Sequence, residues 1–290
     1  MCYDEIDIIY PCNNGGFKKL LDLKACRRVV IKVGTSSLTY ETGRLHLRRM
    51  ERLARALSDL KNFGREIVLV SSGAVGAGVA RLGLAERPHD LRLKQAAAAV
   101  GQSELMNVYG RFFGEYGHTV AQLLLTRDVV DTPERRENVK NTFETLLSLG
   151  AVPIVNENDT ISTYELERIT SFGENDTLAA VCAEVVDADL LILLSDIDGL
   201  YDADPKINEE ARRIPVVYEV DDALMKVAGG EGTNRGTGGM ATKLSAARRC
   251  MEAGIPMVIA SGENPDIVCD ILDGRHAGTV FMPKEKKEKA

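Results

Sequence analysis

From Arg28 onward, short β-branched runs alternate with longer stretches of helical spacing. The first run, Val29-Val30-Ile31-Lys32-Val33, is almost wholly apolar. After it, Leu47, Met50, Leu53, Leu57 and Leu60 recur every three or four residues, as on the buried face of an amphipathic helix. Ile67–Val70 predicts a second strand, followed by a glycine-rich stretch and a helix around Leu91–Tyr109. Thr119–Leu125 reads as a strand, and Thr132-Pro133-Glu134 opens a helix that ends at Gly150. Val152–Val155 and Leu190–Leu194 are further strands, with a helix near Thr177–Val186 between them. A helix over Thr242–Ala253, closed by Gly254, leads to a strand at Pro256–Ala260. Strands apolar on both sides, separated by helices, predict a mainly parallel sheet covered on two faces. Residues 1–27 read as an N-terminal extension, with a loop at Pro11–Gly16, and residues 284–290 as a charged tail. No Pro/Ser-rich linker divides what lies between.

Composition narrows the function classes. The chain has 290 residues, with 36 Lys plus Arg against 43 Asp plus Glu, a net charge of −7. An acidic chain is a poor non-specific partner for nucleic acid or anionic membrane, so neither is expected. No run of eighteen apolar residues is present. Cys2, Cys12, Cys26, Cys182, Cys250 and Cys269 are scattered, with no C-x-x-C pair. They read as reduced thiols in a cytoplasmic protein rather than as a disulfide framework or metal site. The acidic N-terminus does not have the form of a signal peptide.

In a doubly wound sheet, ligands sit beyond the carboxyl ends of the strands, so the chemistry is sought there. Lys32 at the end of the first run is costly unless its ammonium reaches a partner or an open site. The plainer alternative is an edge lysine reaching water. Gly34, before Thr35-Ser36-Ser37, lets a phosphate approach the backbone. Ser71-Ser72-Gly73-Ala74-Val75-Gly76-Ala77-Gly78 supplies small residues for an oxygen-rich ligand, but G-x-x-G-x-G is not the dinucleotide fingerprint. Asn156-Glu157-Asn158-Asp159-Thr160 and Gly173-Glu174-Asn175-Asp176-Thr177 gather amides and carboxylates. These suit an amino-acid zwitterion, and also suit turns and helix caps. Ser195-Asp196 follows the strand Leu190–Leu194. Asn234-Arg235-Gly236-Thr237-Gly238-Gly239-Met240-Ala241-Thr242-Lys243 runs a glycine loop into a helix whose first turn carries a lysine, a combination suited to phosphate.

Seven stretches together resemble the amino-acid kinase superfamily, and within it the glutamate 5-kinases. They are V-I-K-V-G-T-S-S (Val30–Ser37), V-S-S-G-A-V-G-A-G (Val70–Gly78), K-Q-A-A-A-A-V-G-Q (Lys94–Gln102), V-N-E-N-D (Val155–Asp159), G-E-N-D-T-L-A-A (Gly173–Ala180), S-D-I-D-G-L-Y (Ser195–Tyr201) and G-T-G-G-M-A-T-K (Gly236–Lys243). The resemblance implies a three-layer α/β/α sandwich over residues 28–283, in a short form without a C-terminal PUA domain. It implies transfer of the γ-phosphoryl of ATP, as the Mg2+ complex, to the side-chain carboxylate of L-glutamate, the first step of proline biosynthesis. By position, Lys32 and Lys243 resemble the lysines flanking the phosphates, and Asp176 the acid that holds them. Ser72, Asn156, Asp159 and Asn175 resemble the glutamate-binding set. Gly34, Ser195, Asp196 and Thr237, Gly238, Gly239, Met240, Ala241, Thr242 resemble the nucleotide-binding set, together with both lysines. No resident metal ligand is implied. Glu174 departs from relatives that carry Asp there. The resemblance further implies a homo-oligomer (dimer or tetramer), inhibition by L-proline and coupling to a glutamate-5-semialdehyde dehydrogenase. Asp176→Asn is expected to lose turnover with little loss of stability. Kinases of N-acetylglutamate, aspartate or a nucleoside monophosphate stay open, as do a non-catalytic nucleotide-binding protein and a dehydrogenase.

Overall fold

A computed structural model describes residues 9–11, 17–19, 22–40, 42–126, 132–161, 175–205, 207–222, 224–225, 239–275 and 278–283. The charged tail, Cys2, Cys12, Gly173, Glu174 and residues 234–238 of the glycine loop, Thr237 and Gly238 among them, lie outside the described residues.

Two short strands, β1 (Ile9–Pro11) and β2 (Phe17–Lys19), form an antiparallel pair within the N-terminal extension. The main sheet has eight strands. Its centre is β3 (Arg28–Val33), with β4 (Glu66–Ser71) on one side and β7 (Leu190–Ser195) on the other. Beyond β4 lie β6 (Val152–Glu157) and then β5 (Val120–Leu125) at the edge, all parallel. Beyond β7 lies the parallel β11 (Met257–Ser261), then β12 (Thr279–Phe281) antiparallel to it, and β10 (Val216–Val217). A small antiparallel pair, β8 (Leu200–Tyr201) with β9 (Arg213–Ile214), stands apart.

Strand alternation divides the core into two layers. Val29, Ile31 and Val33 pack with helices α2 (Leu47–Asn62) and α4 (Leu91–Glu115). Val30, Val68, Val70, Leu191 and Leu193 pack on the opposite face. There they meet α5 (Pro133–Ser148), α6 (Asn175–Val185) and α7 (Met240–Ala253). Each fully buried aliphatic side chain contributes about 1.5–3 kcal/mol, so both faces hold the sheet. Lys32 shares the parity of Val30 and pairs in register with Val70 and Leu193. It therefore emerges on the α6–α7 face. The chain leaves β3 toward β4 and returns to the far side of β3 as β7, so the sheet reverses its winding between β3 and β7. Ligands bind at that crevice in folds of this kind.

Several expectations need correction. β3 is central rather than an edge strand, so Lys32 does not reach water from an edge. Ser71, Asn156 and Ser195 lie within strands, held by register to Val33, Leu124 and Ser261, rather than in the loops beyond. Leu23 and Cys26 of the extension are buried in the core. The glycine-rich stretch after β4 is mostly a helix, α3 (Ala74–Leu82). Its Gly78 does not leave room for a ligand. A Cβ there would lie 1.8 Å from the Ala97 carbonyl oxygen of α4, and a Cβ at Gly101 would lie 1.8 Å from that of Ala74. These glycines let α3 and α4 cross at backbone contact. Gly78→Ala is expected to force the helices apart and destabilise the fold by about 1–3 kcal/mol, the usual overpacking cost. Urea unfolding measures this, and an unchanged midpoint would contradict the packing assignment.

Candidate active site

The site begins with a buried charge triplet. Asp176, in the first turn of α6, is fully buried. Its Oδ1 lies 2.6 Å from Lys32 Nζ and its Oδ2 lies 3.3 Å from Lys243 Nζ. Lys32 and Lys243 are themselves buried. Burial pushes the Asp176 carboxyl up, but the two ammonium groups outweigh it and hold the pKa below the ordinary carboxylate value. Two ammonium groups thus share one carboxylate. Thr242 Oγ1 is 2.8 Å from the Gly239 carbonyl and 3.3 Å from Asp176 Oδ2, and its single proton serves the nearer acceptor.

Local structure explains how these groups converge. Lys32 comes from the end of β3, Asp176 from α6 and Lys243 from the first turn of α7. Gly239 caps α7 in an extended conformation, with Met240, Ala241 and Thr242 half-buried after it. The first amides of a helix lack internal partners, so this end of α7 presents donors beside Lys243. Gly34 follows β3, and a Cβ on it would stand 3.6 Å from Lys32 Nζ and 3.9 Å from the Leu194 carbonyl oxygen. At the end of β7, beside that carbonyl, Ser195 Oγ donates to Asp196 Oδ1 at 3.0 Å.

Next to the triplet in sequence, Asn175 opens a second network. Its Nδ2 donates toward Ser72 Oγ at 2.7 Å, Asn156 Oδ1 at 2.9 Å and the Ser71 carbonyl at 3.1 Å. Asn156 is buried, and its Nδ2 donates to Gln102 Oε1 at 2.9 Å. The structure thus joins Ser72, Asn156 and Asn175 across the ends of β4 and β6. Asp159 lies in the turn just after β6, where Asn158 Oδ1 accepts from Thr160 Oγ1. That part of the N-E-N-D stretch does serve turn chemistry. Sequence reasoning assigned no role to Gln102, although the residue closes one of the quoted motifs. Nor did it find Tyr109, whose hydroxyl lies 2.9 Å from Ser71 Oγ. Both sit on one face of α4, seven residues apart, which is the only signal that could have paired them.

Other reactive groups stand outside this chemistry. Burial pushes the thiols of Cys182 and Cys250 up to about 12 and those of Cys26 and Cys269 up to about 11, so they stay protonated. Among the described residues no cluster of three His, Cys, Asp or Glu is arranged to hold a metal ion, and no helix is long and apolar enough to cross a membrane.

The full burial of Asp176 overturns the expectation that Asp176→Asn would spare stability. The neutral amide would leave two buried ammonium groups without their anion, at a cost of about 3–5 kcal/mol. Denaturant unfolding at neutral pH measures the loss, and wild-type stability would show that the lysines find other partners. Because the folded-state pKa of Asp176 is lowered, its contribution is complete above the unfolded carboxylate value of about 4. It is lost as the pH falls through the lowered folded value. Wild type should therefore lose stability relative to Asp176→Asn only below about pH 4.

Comparison with known proteins shows the family. The model of the Amino acid kinase family matches residues 27–261. A protein named glutamate 5-kinase from Clostridium perfringens is 55% identical over 263 residues, covering 91% of this chain and 98% of the relative. One of the same name from Listeria innocua is 52% identical over 265 residues, covering 91% and 96%. One from Enterococcus faecalis is 49% identical over 260 residues, covering 90% and 96%. The solved structure of a UMP kinase from Ureaplasma parvum superposes with a TM-score of 0.60 at 16% identity, covering 89% of this chain and 99% of that one. At that identity it speaks for the fold alone.

Proposed function

The chain belongs to the amino acid kinase family, and from that premise we propose that it transfers the γ-phosphoryl group of ATP to the side-chain carboxylate of L-glutamate, giving L-glutamyl 5-phosphate for proline biosynthesis. The observation that carries the reading is the buried Lys32–Asp176–Lys243 triplet beside the Asn175 network. A cationic locus for phosphate adjoins a set of neutral amides and a hydroxyl for an amino acid.

The chemistry needs little beyond these parts. A glutamate side chain is ionised at neutral pH, with a pKa of about 4.3, so no general base is required. One carboxylate oxygen attacks the γ-phosphorus, a new P–O bond forms, and the bond to the β-phosphate oxygen breaks with its electron pair leaving on ADP. Positioning and charge cancellation carry the rate of such transfers. Lys32 and Lys243 supply positive charge to the transferring oxygens, and the α7 amides with Gly34 give the polyphosphate close backbone approach. Asp176 keeps both ammonium groups aimed at one point. Ser72, Asn175, Asn156 and Asp159 hold the amino acid, while Ser195 and Asp196 hold the nucleoside side, with Thr237 and Gly238 of the glycine loop. ATP brings Mg2+ as part of the substrate.

The same proposal covers the finer points. The enzyme works in the cytoplasm as a dimer or tetramer and is inhibited by L-proline. An acyl phosphate is labile in water, so a reductase such as glutamate-5-semialdehyde dehydrogenase is a fitting consumer.

ADP release with Mg2+, ATP and L-glutamate, with hydroxylamine trapping of the acyl phosphate, tests the reading. Glutamate-dependent hydroxamate is the expected product. Product from a nucleoside monophosphate alone, or no ADP at all, would overturn it. Lys243→Ala is expected to lower turnover at least about 100-fold, a transition-state loss of roughly 2.7 kcal/mol. Wild-type-like turnover in that variant would remove Lys243 from the mechanism.

A further inference from the structure

An amide side chain can face either way round, and which way decides what it recognises. Here two backbone groups fix the choice. The Glu157 N–H donates to Asn156 Oδ1 at 2.9 Å. A backbone N–H can only donate, so that side of Asn156 must be its oxygen. The opposite side is then the NH2 group, and it meets Gln102 Oε1 at 2.9 Å. Asn175 in turn faces two acceptors that cannot donate, Asn156 Oδ1 and the Ser71 carbonyl. It must present its own NH2 group to them. Ser72 Oγ, 2.7 Å from the same nitrogen, can meet it only as an acceptor sharing one of its two protons, because an amide nitrogen does not accept. Its hydroxyl proton is therefore turned elsewhere, available to an anionic oxygen. The carbonyl oxygen of Asn175 is left on the side away from the strand ends, as an acceptor.

We propose that Gln102, acting through Asn156, is a positioning residue that locks Asn175 with its carbonyl outward and so makes the acceptor site read the ammonium of an amino acid. The proposal rests on the function proposed above, and it supplies the origin of selectivity for a zwitterion over a plain dicarboxylic acid. Gln102 is buried, so loss of its oxygen leaves the Asn156 NH2 group without an acceptor in a dry place. Asn156 cannot escape by flipping, because its NH2 group would then oppose the Glu157 N–H. The side chain must shift, and Asn175 loses one of the acceptors that set its orientation, keeping the Ser71 carbonyl and Ser72 Oγ. An Asn175 held less firmly turns more readily, and once turned it meets an ammonium with its own NH2 group, donor against donor.

Calorimetric titration of the full chain with L-glutamate and with glutarate, which lacks only the ammonium group, tests this. A non-hydrolysable ATP analogue is present throughout, and wild type is compared with Gln102→Met and Gln102→Glu. Wild type is expected to prefer glutamate. Gln102→Met should reduce that preference about tenfold, the scale of one charge-assisted hydrogen bond, while analogue affinity stays within about twofold. Gln102→Glu keeps an acceptor toward Asn156 and should keep the preference. Three results would overturn the proposal: no preference in wild type, an unchanged preference in Gln102→Met, or a parallel loss of analogue affinity. Equal loss in both variants would also overturn it, since side-chain shape rather than the acceptor would then be at work. Binding is read without turnover, so a wild type that binds glutamate selectively yet forms no ADP would sink the kinase reading and leave this one standing.

Discussion

One carboxylate with no access to water holds two lysines from elements far apart in the chain. Asp176 could not stay charged in such a place without Lys32 and Lys243. The burial of the two ammonium groups is in turn less costly beside it. Their mutual dependence fixes the end of β3 against the first turns of α6 and α7. A well-packed apolar trio in the same place would be at least as stable. What an apolar trio lacks is a pair of ammonium groups at a strand end. The triplet is thus best understood as a preorganised electrostatic site whose folding cost is offset by the apolar layers around it.

Those layers are a consequence of period-two alternation. Because Val29 and Ile31 point to one side, Val30 and Lys32 must point to the other. A one-residue slip of β3 would send the ammonium into the α2–α4 layer, away from Asp176. Register with Val70 and Leu193 excludes that slip. On the α4 side, Gln102 and Tyr109 reach the ends of β6 and β4 and brace the amide network. The two halves of the site are therefore held from opposite faces of one sheet, meeting at adjacent residues, Asn175 and Asp176.

Much of this was legible in the chain. Lys32 stood out because a charge at the end of an apolar run demands a partner, and the long helices announced themselves by period. Lys243 stood out as a lysine in the first turn of a helix after a glycine loop, whereas Asp176, which its residue type alone would have left as a turn or cap residue, took its role from the family resemblance. Other features were hidden for physical reasons. Two-residue strands such as β9 and β10 have no period to read. Gly78 was ambiguous because a missing side chain admits a ligand and a neighbouring helix equally well, and only the 1.8 Å approach to the α4 backbone separates the two. Asp176 read as an organiser that could be replaced at little cost in stability until its burial was known. Gln102 gave no local sign, since its partner lies fifty-four residues away.

The central claim is that the two lysine ammonium groups held by Asp176 are where the phosphoryl group passes. A crystal structure with ADP, magnesium fluoride and L-glutamate tests it most directly. The planar anion should lie between Lys32 Nζ and Lys243 Nζ, within hydrogen-bond reach of both, with the glutamate on the Asn175 and Ser72 side. An anion bound in line between ADP and glutamate but out of reach of both lysines would contradict the account.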